Sequence, residues 1–268
     1  MDYTLSVNHY ICGDDVAFPQ FAEMVSAAGI EQVGVTRAAL FEMGVPALAQ
    51  CLRDNGLGVS SISSVGYFTG TRPETKDNFT DDEMIDIAAE LGAEALTVIT
   101  GGVSDPTQPA AEAYEHIKSG LAEMALLAEA KGVVLGLEPL HSNYFLTLGC
   151  INTIAHGLEL IKPHANAKLL LDVDLSWWDP DLAGVLREKP EEVVLIQMCN
   201  VKVENNRAAG RETLAAGDLD MSRLIGDFLA GGFRGTFEFE LFPGDLRGRN
   251  LRSLIDGYAQ EFADCVAA

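Results

Sequence analysis

Positive charge is what this chain has least of. Against 40 Asp and Glu it carries only 18 Lys and Arg, a formal net charge of −22 over 268 residues, with a pI of about 4.4. Such a field repels nucleic acid and anionic membranes, which argues against binding either by bulk electrostatics. A large phosphorylated substrate is disfavoured as well, unless basic residues gather locally. The acidity itself reads first as a device for solubility. Cysteine is also scarce: Cys12, Cys51, Cys150, Cys199 and Cys265 are odd in number and contain no CxxC, so neither a disulfide framework nor a zinc ribbon is signalled. Cys12, Cys51 and Cys199 lie in apolar surroundings and read as buried thiols. No apolar run approaches membrane-spanning length. The opening Met-Asp-Tyr-Thr lacks a basic region followed by an apolar core, so a soluble, cytoplasmic protein is expected. Missing too are low-complexity tracts, Pro/Ser-rich linkers and a GxGxxG after the first strand. Their absence argues for one domain over residues 1–268 and against a dinucleotide fold.

What is present is an alternation. Short apolar runs at Leu5–Cys12, Gln32–Thr36, Val59–Val65, Ala95–Ile99, Val133–Leu137, Ala167–Asp172, Val193–Met198 and Thr236–Leu241 have the length of buried strands. Between and after them the period switches to that of helices, over Val16–Ala28, Val45–Asp54, Thr80–Leu91, Ala110–Lys131, Cys150–Ile161, Asp181–Glu188, Met221–Ala230 and Leu251–Ala267. Tyr67–Asn78, Gly101–Pro109 and Val201–Asp218 read as loops. Eight strands alternating with eight helices in a chain of this length predict an α/β fold, a (β/α)₈ TIM barrel of one domain. The doubly wound open sheet is the alternative.

Four of the strands end on oxygen-bearing side chains. Val-Val-Leu-Gly-Leu stops at Glu138, where Pro139 cannot continue a sheet ladder. The later runs carry Asp172, Gln197 and Glu240 at their ends when counted as Ala167–Asp172, Val193–Gln197 and Thr236–Glu240. In a barrel these positions share the C-terminal rim, where catalytic groups of this fold reside. Three carboxylates pressed together without a cation would raise one another's pKa. A hard divalent ion removes the conflict, and an all-oxygen set favours Mg²⁺ or Mn²⁺ over Zn²⁺.

The segments Leu-Glu-Pro-Leu-His (137–141), Leu-Asp-Val-Asp-Leu-Ser-Trp-Trp-Asp-Pro-Asp-Leu (171–182), Gln-Met-Cys-Asn (197–200) and Gly-Asp-Leu-Asp (217–220) resemble the xylose-isomerase-like TIM-barrel superfamily. Within it the closest likeness is to the sugar (phosphate) isomerases and epimerases, including tagatose-3-epimerase-like and hydroxypyruvate-isomerase-like enzymes. The likeness is strong from about Val133 to Phe242 and architectural before that. It implies that Glu138, Asp172, Gln197 and Glu240 bind Mn²⁺, Mg²⁺ or a similar ion. By the same resemblance Glu138 and Glu240 flank the substrate and exchange its proton, and Arg211 contacts it. Two positions depart from the pattern. Leu175 stands where the family usually has a His that holds substrate oxygens, and Asn200 replaces the common Asp after the strand-seven ligand.

Further candidates surround this set. Of Trp177 and Trp178 one is expected to line the pocket, with Trp177 named for substrate contact. His141 lies three residues past Glu138 and is a candidate substrate or supporting contact, as is His9 at the end of the first strand. His116, His156 and His164 are expected to be solvated, away from the rim. Lys202, Arg207 and Arg211 form the one basic cluster near the mouth, in a segment that reads as a lid. The expected function is a metal-dependent isomerase or epimerase acting on a small carbohydrate-like molecule through an enediolate. The runner-up is a lyase or dehydratase acting on a keto-sugar, cyclitol or C-glycoside; a non-catalytic barrel subunit is the reading outside enzymology. Metal-dependent cleavage of nucleic acid is disfavoured by the missing basic surface and missing extra histidines. Homo-oligomerisation is left open.

Overall fold

The eight expected strands form, pair in parallel and close into a barrel in the computed structural model, which describes residues 3–70, 72–103, 105–107 and 109–268. Met1 and Asp2, where the reading of the N-terminus begins, and Thr71, Ser104 and Gln108 of two expected loops, lie outside the described residues. The staves are β1 (Thr4–Asn8), β2 (Gln32–Thr36), β3 (Gly58–Gly66), β4 (Ala95–Ile99), β5 (Leu135–Leu137), β6 (Ala167–Asp172) and β7 (Val193–Met198), closed by β10 (Thr236–Phe239) between β7 and β1. The intervening β8 (Asn200–Glu204) and β9 (Arg207–Glu212) pair only with each other. The surrounding helices are α1 (Phe18–Ala27), α2 (Arg37–Met43), α3 (Val45–Asn55), α4 (Asp81–Leu91), α5 (Ala110–Ala130), α6 (Ile154–Ile161), α7 (Val173–Ser176), α8 (Leu182–Glu188), α9 (Met221–Ala230) and α10 (Leu251–Ala267). None of them is long and apolar enough to cross a membrane.

The main hydrophobic layer lies between staves and helices. In β10, Phe237 meets Phe262 of α10 at 4.8 Å and Phe233 edge-on at 5.2 Å, while Phe239 stacks on Tyr258 at 4.6 Å. Burying each such ring stabilises the fold by roughly 1.5–3 kcal/mol. Strand periodicity then turns the alternate residues, Thr236, Glu238 and Glu240, into the barrel. The interior they enter is polar. Glu238 is fully buried and accepts from Asn8 Nδ2 (2.8 Å), Ser60 Oγ (2.5 Å), Ser61 Oγ (2.8 Å) and Gln197 Nε2 (3.0 Å). An irregularity opposite Val33 and Gly34 lets the consecutive Ser60 and Ser61 both reach it. Gly34 makes room: a Cβ there would lie 2.6 Å from both Asn8 Nδ2 and Glu238 Oε2.

Several expected boundaries shift. The first strand stops at Asn8 rather than Cys12, because the Asn8 side chain accepts from Tyr10 N (3.0 Å) and opens a 3-10 turn over His9–Cys12. Helix α2, capped by Thr36 Oγ1, and the short α7 were not anticipated. The expected Cys150 helix begins at Ile154, where Thr153 caps it. The segment Val201–Asp218 is not irregular: most of it is the β8–β9 hairpin, turned by Asn205 and Asn206, both in the left-handed region at φ 51° and 61°. Two successive positive φ values are the geometry of a tight hairpin turn, which Asn tolerates.

Candidate active site

Glu138, Asp172, Gln197 and Glu240 arrive at the same rim. Asp172 closes β6 opposite Gln197 of β7, and Gln197 in turn pairs with Glu238 of β10. Glu138 and Glu240 follow the last residues of β5 and β10, still tied to the ladder by their backbone N–H groups to Val98 (3.1 Å) and Met198 (3.0 Å). Around the ring, β10 and β5 are separated by β7 and β6, so the two glutamates face the mouth from well-separated walls. All four side chains are buried. They open on a pocket of about 290 Å³ whose lining also includes Tyr10, Ser63, Thr97, Leu175, Arg211 and Phe242.

Arg211 is the cation of this site. It is delivered by β9, with Nη2 2.5 Å from Asp172 Oδ2, Nη1 3.2 Å from Glu240 Oε2 and Nε 3.8 Å from Asp174. The guanidinium also lies over the Phe242 ring at 4.9 Å. The hairpin that carries it is fastened at its base. Arg249 pairs with Glu212, and the Arg211 N–H reaches Asp245. Asn200 donates to the Leu214 and Leu219 carbonyls and accepts from the Leu219 N–H. Asn200, one of the two departures from the family pattern, therefore serves here as a backbone joint.

The electrostatics follow from crowding in a desolvated space. Burial, then the Asp172 charge, lift Glu138 to a pKa of about 8 against the pull of Arg211. Glu240 is raised well above the carboxylate range by burial, with Asp172, Glu138 and Glu238 adding to it and Arg211 opposing. Burial alone would lower Arg211, but Asp172, Cys199, Glu240 and Asp174 hold it well above its ordinary value. Tyr10, near Glu240 and Glu138, is raised mainly by burial.

The donor set fits a hard divalent ion by its chemistry. It offers only oxygen, and Gln197 has an atom to spare: its Nε2 is committed to Glu238 (3.0 Å) and Glu240 (2.9 Å), while its buried Oε1 has no hydrogen-bond partner. A buried acceptor left in that state calls for a cation or a hydroxyl. Among the described residues no three His, Cys, Asp or Glu side chains are drawn into a ready-made cluster, and Arg211 lies against Asp172 and Glu240. An ion bound by all four groups requires the guanidinium to give ground, since two cations sharing those oxygens repel strongly at short range.

The remaining sequence candidates separate. Leu175 lines the pocket and packs with Ile99 and Leu140, giving one apolar wall. Trp177 does not join it. Trp177 is the helical C-cap of α7, so it points about 200° away from Leu175, and it lies 42% exposed in an outer cleft with Leu182 and Phe228. Trp178 donates to the Leu175 carbonyl at 2.9 Å instead. His141 caps the 3-10 turn Ser142–Tyr144 and sits edge-on to Trp178, outside the pocket lining. His9 is buried against Phe18 and Phe21, with Nδ1 3.0 Å from Thr36 Oγ1, in the wall of an adjoining cavity. Lys202 pairs with Asp218, so of the expected basic cluster only Arg211 lines the pocket. Sequence reasoning missed Tyr10, Tyr67, Ser63, Thr97 and Phe242 in the lining and Glu238 beneath it. Only Glu238 had a signal, the strict alternation Thr-Phe-Glu-Phe-Glu.

A family profile described as xylose isomerase-like TIM barrel matches residues 21–260. The chain belongs to that family. A protein from Sinorhizobium meliloti 1021 is 24% identical with a TM-score of 0.87, covering 99% of both chains. The IolI protein, solved with a bound zinc atom, is 15% identical with a TM-score of 0.80 over 98% of each chain. D-Psicose 3-epimerase from Clostridium cellulolyticum H10, solved with D-tagatose, is 17% identical with a TM-score of 0.71 over 97% of each. At these identities the likeness establishes the fold. A search of curated proteins finds no match.

Proposed function

We propose that this xylose isomerase-like barrel is an isomerase or epimerase that moves a proton on a carbon next to a carbonyl in a small carbohydrate-like substrate. The observation that carries the reading is the pair of buried glutamates, Glu138 and Glu240, set on separated walls of one pocket with Arg211 beside them. Two carboxyl groups approaching from different sides suit removal of a proton from one face of a carbon and its return at another. With one glutamate ionised and the other protonated, the carbon–hydrogen bond breaks, its proton passes to the ionised Oε atom, the electron pair is left as an enediolate, and the protonated glutamate returns a proton to carbon. Arg211 is a desolvated positive charge near that developing anion. Gln197 Oε1, free of protein partners, is an acceptor suited to a substrate hydroxyl or to an ion. Glu138, Asp172, Gln197 and Glu240 would hold Mn²⁺ or Mg²⁺, and such an ion supplies Lewis acidity toward the carbonyl oxygen when bound.

A lyase is the second reading, and Leu175 favours it. With Ile99 and Leu140 it makes an apolar wall in a place suited to a substituent that is not a hydroxyl, and loss of such a group after proton abstraction is an elimination.

Deuterium incorporation tests the reading. In deuterium oxide, a panel of ketoses and keto-glycosides should acquire carbon-bound label with the wild-type protein. Glu138→Gln and Glu240→Gln should each lower that exchange by at least 10²-fold, the scale of a lost acid–base group. Elemental analysis of protein prepared without chelator should find about one divalent ion per chain, as expected for a single such site. Exchange that persists unchanged in both variants would defeat the assignment.

A further inference from the structure

A second cavity, of about 340 Å³, adjoins the catalytic pocket. Tyr10, Ser64, Tyr67 and Pro73 line both spaces. It lies over the ends of β1, β2 and β3, whereas the carboxylates come from β5, β6 and β10, so a molecule reaching from one to the other spans much of the rim. Its walls belong to α2, through Ala38 and Phe41, to the turn after β1, and to the loop after β3.

The chemistry of these walls selects what can occupy it. Its basic residues already face carboxylates. Arg37 is held by Asp77 through Nε and Nη2 and by the Ser64 and Phe79 carbonyls. Arg72 pairs with Asp81, and Lys76 approaches Asp14 at 3.6 Å. The polar network is thus internally neutral, and nothing in it calls for a phosphate. The apolar surface, by contrast, is open. Phe41 is 49% exposed, Ala38 is exposed, and Pro73 and the Tyr10 and Tyr67 rings form the partition toward the catalytic pocket. Tyr67 is held in place: its hydroxyl is 2.8 Å from Ser64 Oγ and Arg72 lies over its ring at 5.2 Å. A flat, uncharged group fits between such faces.

We infer that this cavity is a subsite for an uncharged aromatic substituent, so that the substrate is an aryl-substituted carbohydrate rather than a free or phosphorylated sugar. The inference rests on the reading above for the identity of the pocket that the cavity extends.

Calorimetric titration with phenyl β-D-glucoside and methyl β-D-glucoside tests it on the full chain. The phenyl compound should bind at least tenfold more tightly, the equivalent of about 1.4 kcal/mol. Ala38→Trp, which fills the cavity from an exposed helix position, should bring the two affinities together with the melting temperature preserved. Phe41→Ser should reduce the phenyl advantage without filling the space. Equal affinities in the wild type, including undetectable binding of both, would overturn the subsite, as would an advantage of glucose 6-phosphate over glucose of the same size. The proton-transfer reading stands or falls separately on deuterium exchange: a phenyl advantage without exchange would keep the subsite and sink the isomerase.

Discussion

Leu175 sets the polarity of one pocket wall. It is buried, yet it lines the pocket beside Ile99 and Leu140, so a change there alters both packing and recognition. A site built to pair a hydroxyl discriminates steeply, whereas an apolar wall does so weakly. Leu175→His should therefore raise turnover of simple ketohexoses relative to substrates that place an apolar group against this wall, and should cost about 1–3 kcal/mol of stability from a poorly satisfied imidazole. Activity on a ketose panel together with the melting temperature checks both. A stability loss with an unchanged substrate ranking would defeat the recognition role. At this scale the sequence was legible where a residue ended a buried run: Glu138, Asp172, Gln197 and Glu240 share the rim because strand ends in a barrel must. Trp177 and His141 fall outside the pocket lining because a side chain in a rim segment takes its direction from local turns, α7 and the Ser142–Tyr144 turn, which no strand pattern announces.

Among the elements, the strand floor under the site leaves little room for an added atom. Gly34 of β2 leaves the space in which Glu238 meets Asn8, Ser60 and Ser61, and a Cβ would intrude to 2.6 Å on two of those groups. Gly34→Ala should destabilise the fold by about 1–3 kcal/mol, the scale of leaving buried polar groups unpaired. Because Gln197 Nε2 bridges Glu238 and Glu240, it should also disturb the rim that carries Glu240. Denaturant unfolding and deuterium exchange would register the two effects, and a variant as stable as the parent would show that the floor yields. The staves and most helices were readable from period and caps. The hairpin was not, because Asn200–Glu212 lacks the apolar alternation of a buried strand. Its signal was the Asn205-Asn206 pair alone, and Arg211 acquires its position through that unread element.

For the molecule as a whole, acid costs stability through one buried ring. His9 is held at a pKa of about 4, chiefly by burial, with the Val16 backbone offsetting a little. Its folded value lies below the ordinary 6.5, so the fold accommodates the neutral ring. That contribution is fully present above about pH 6.5 and is lost as the pH falls toward 4, by up to about 3 kcal/mol. Urea unfolding of the parent and of His9→Gln at pH 7 and pH 4.5 measures it. The parent should lose more stability between the two than the variant, and equal losses would remove His9 as a cause. The hairpin has a different consequence for the assembled protein. The positive charge of the site is borne on a ribbon outside the barrel, joined at its base through Asn200, Glu212 and Asp245, while the carboxylates are built into the staves. Ribbon and staves can thus vary as separate modules. Grafting a different ribbon onto the same eight staves is a route to new chemistry that leaves the hydrogen-bonded ladder of the barrel alone.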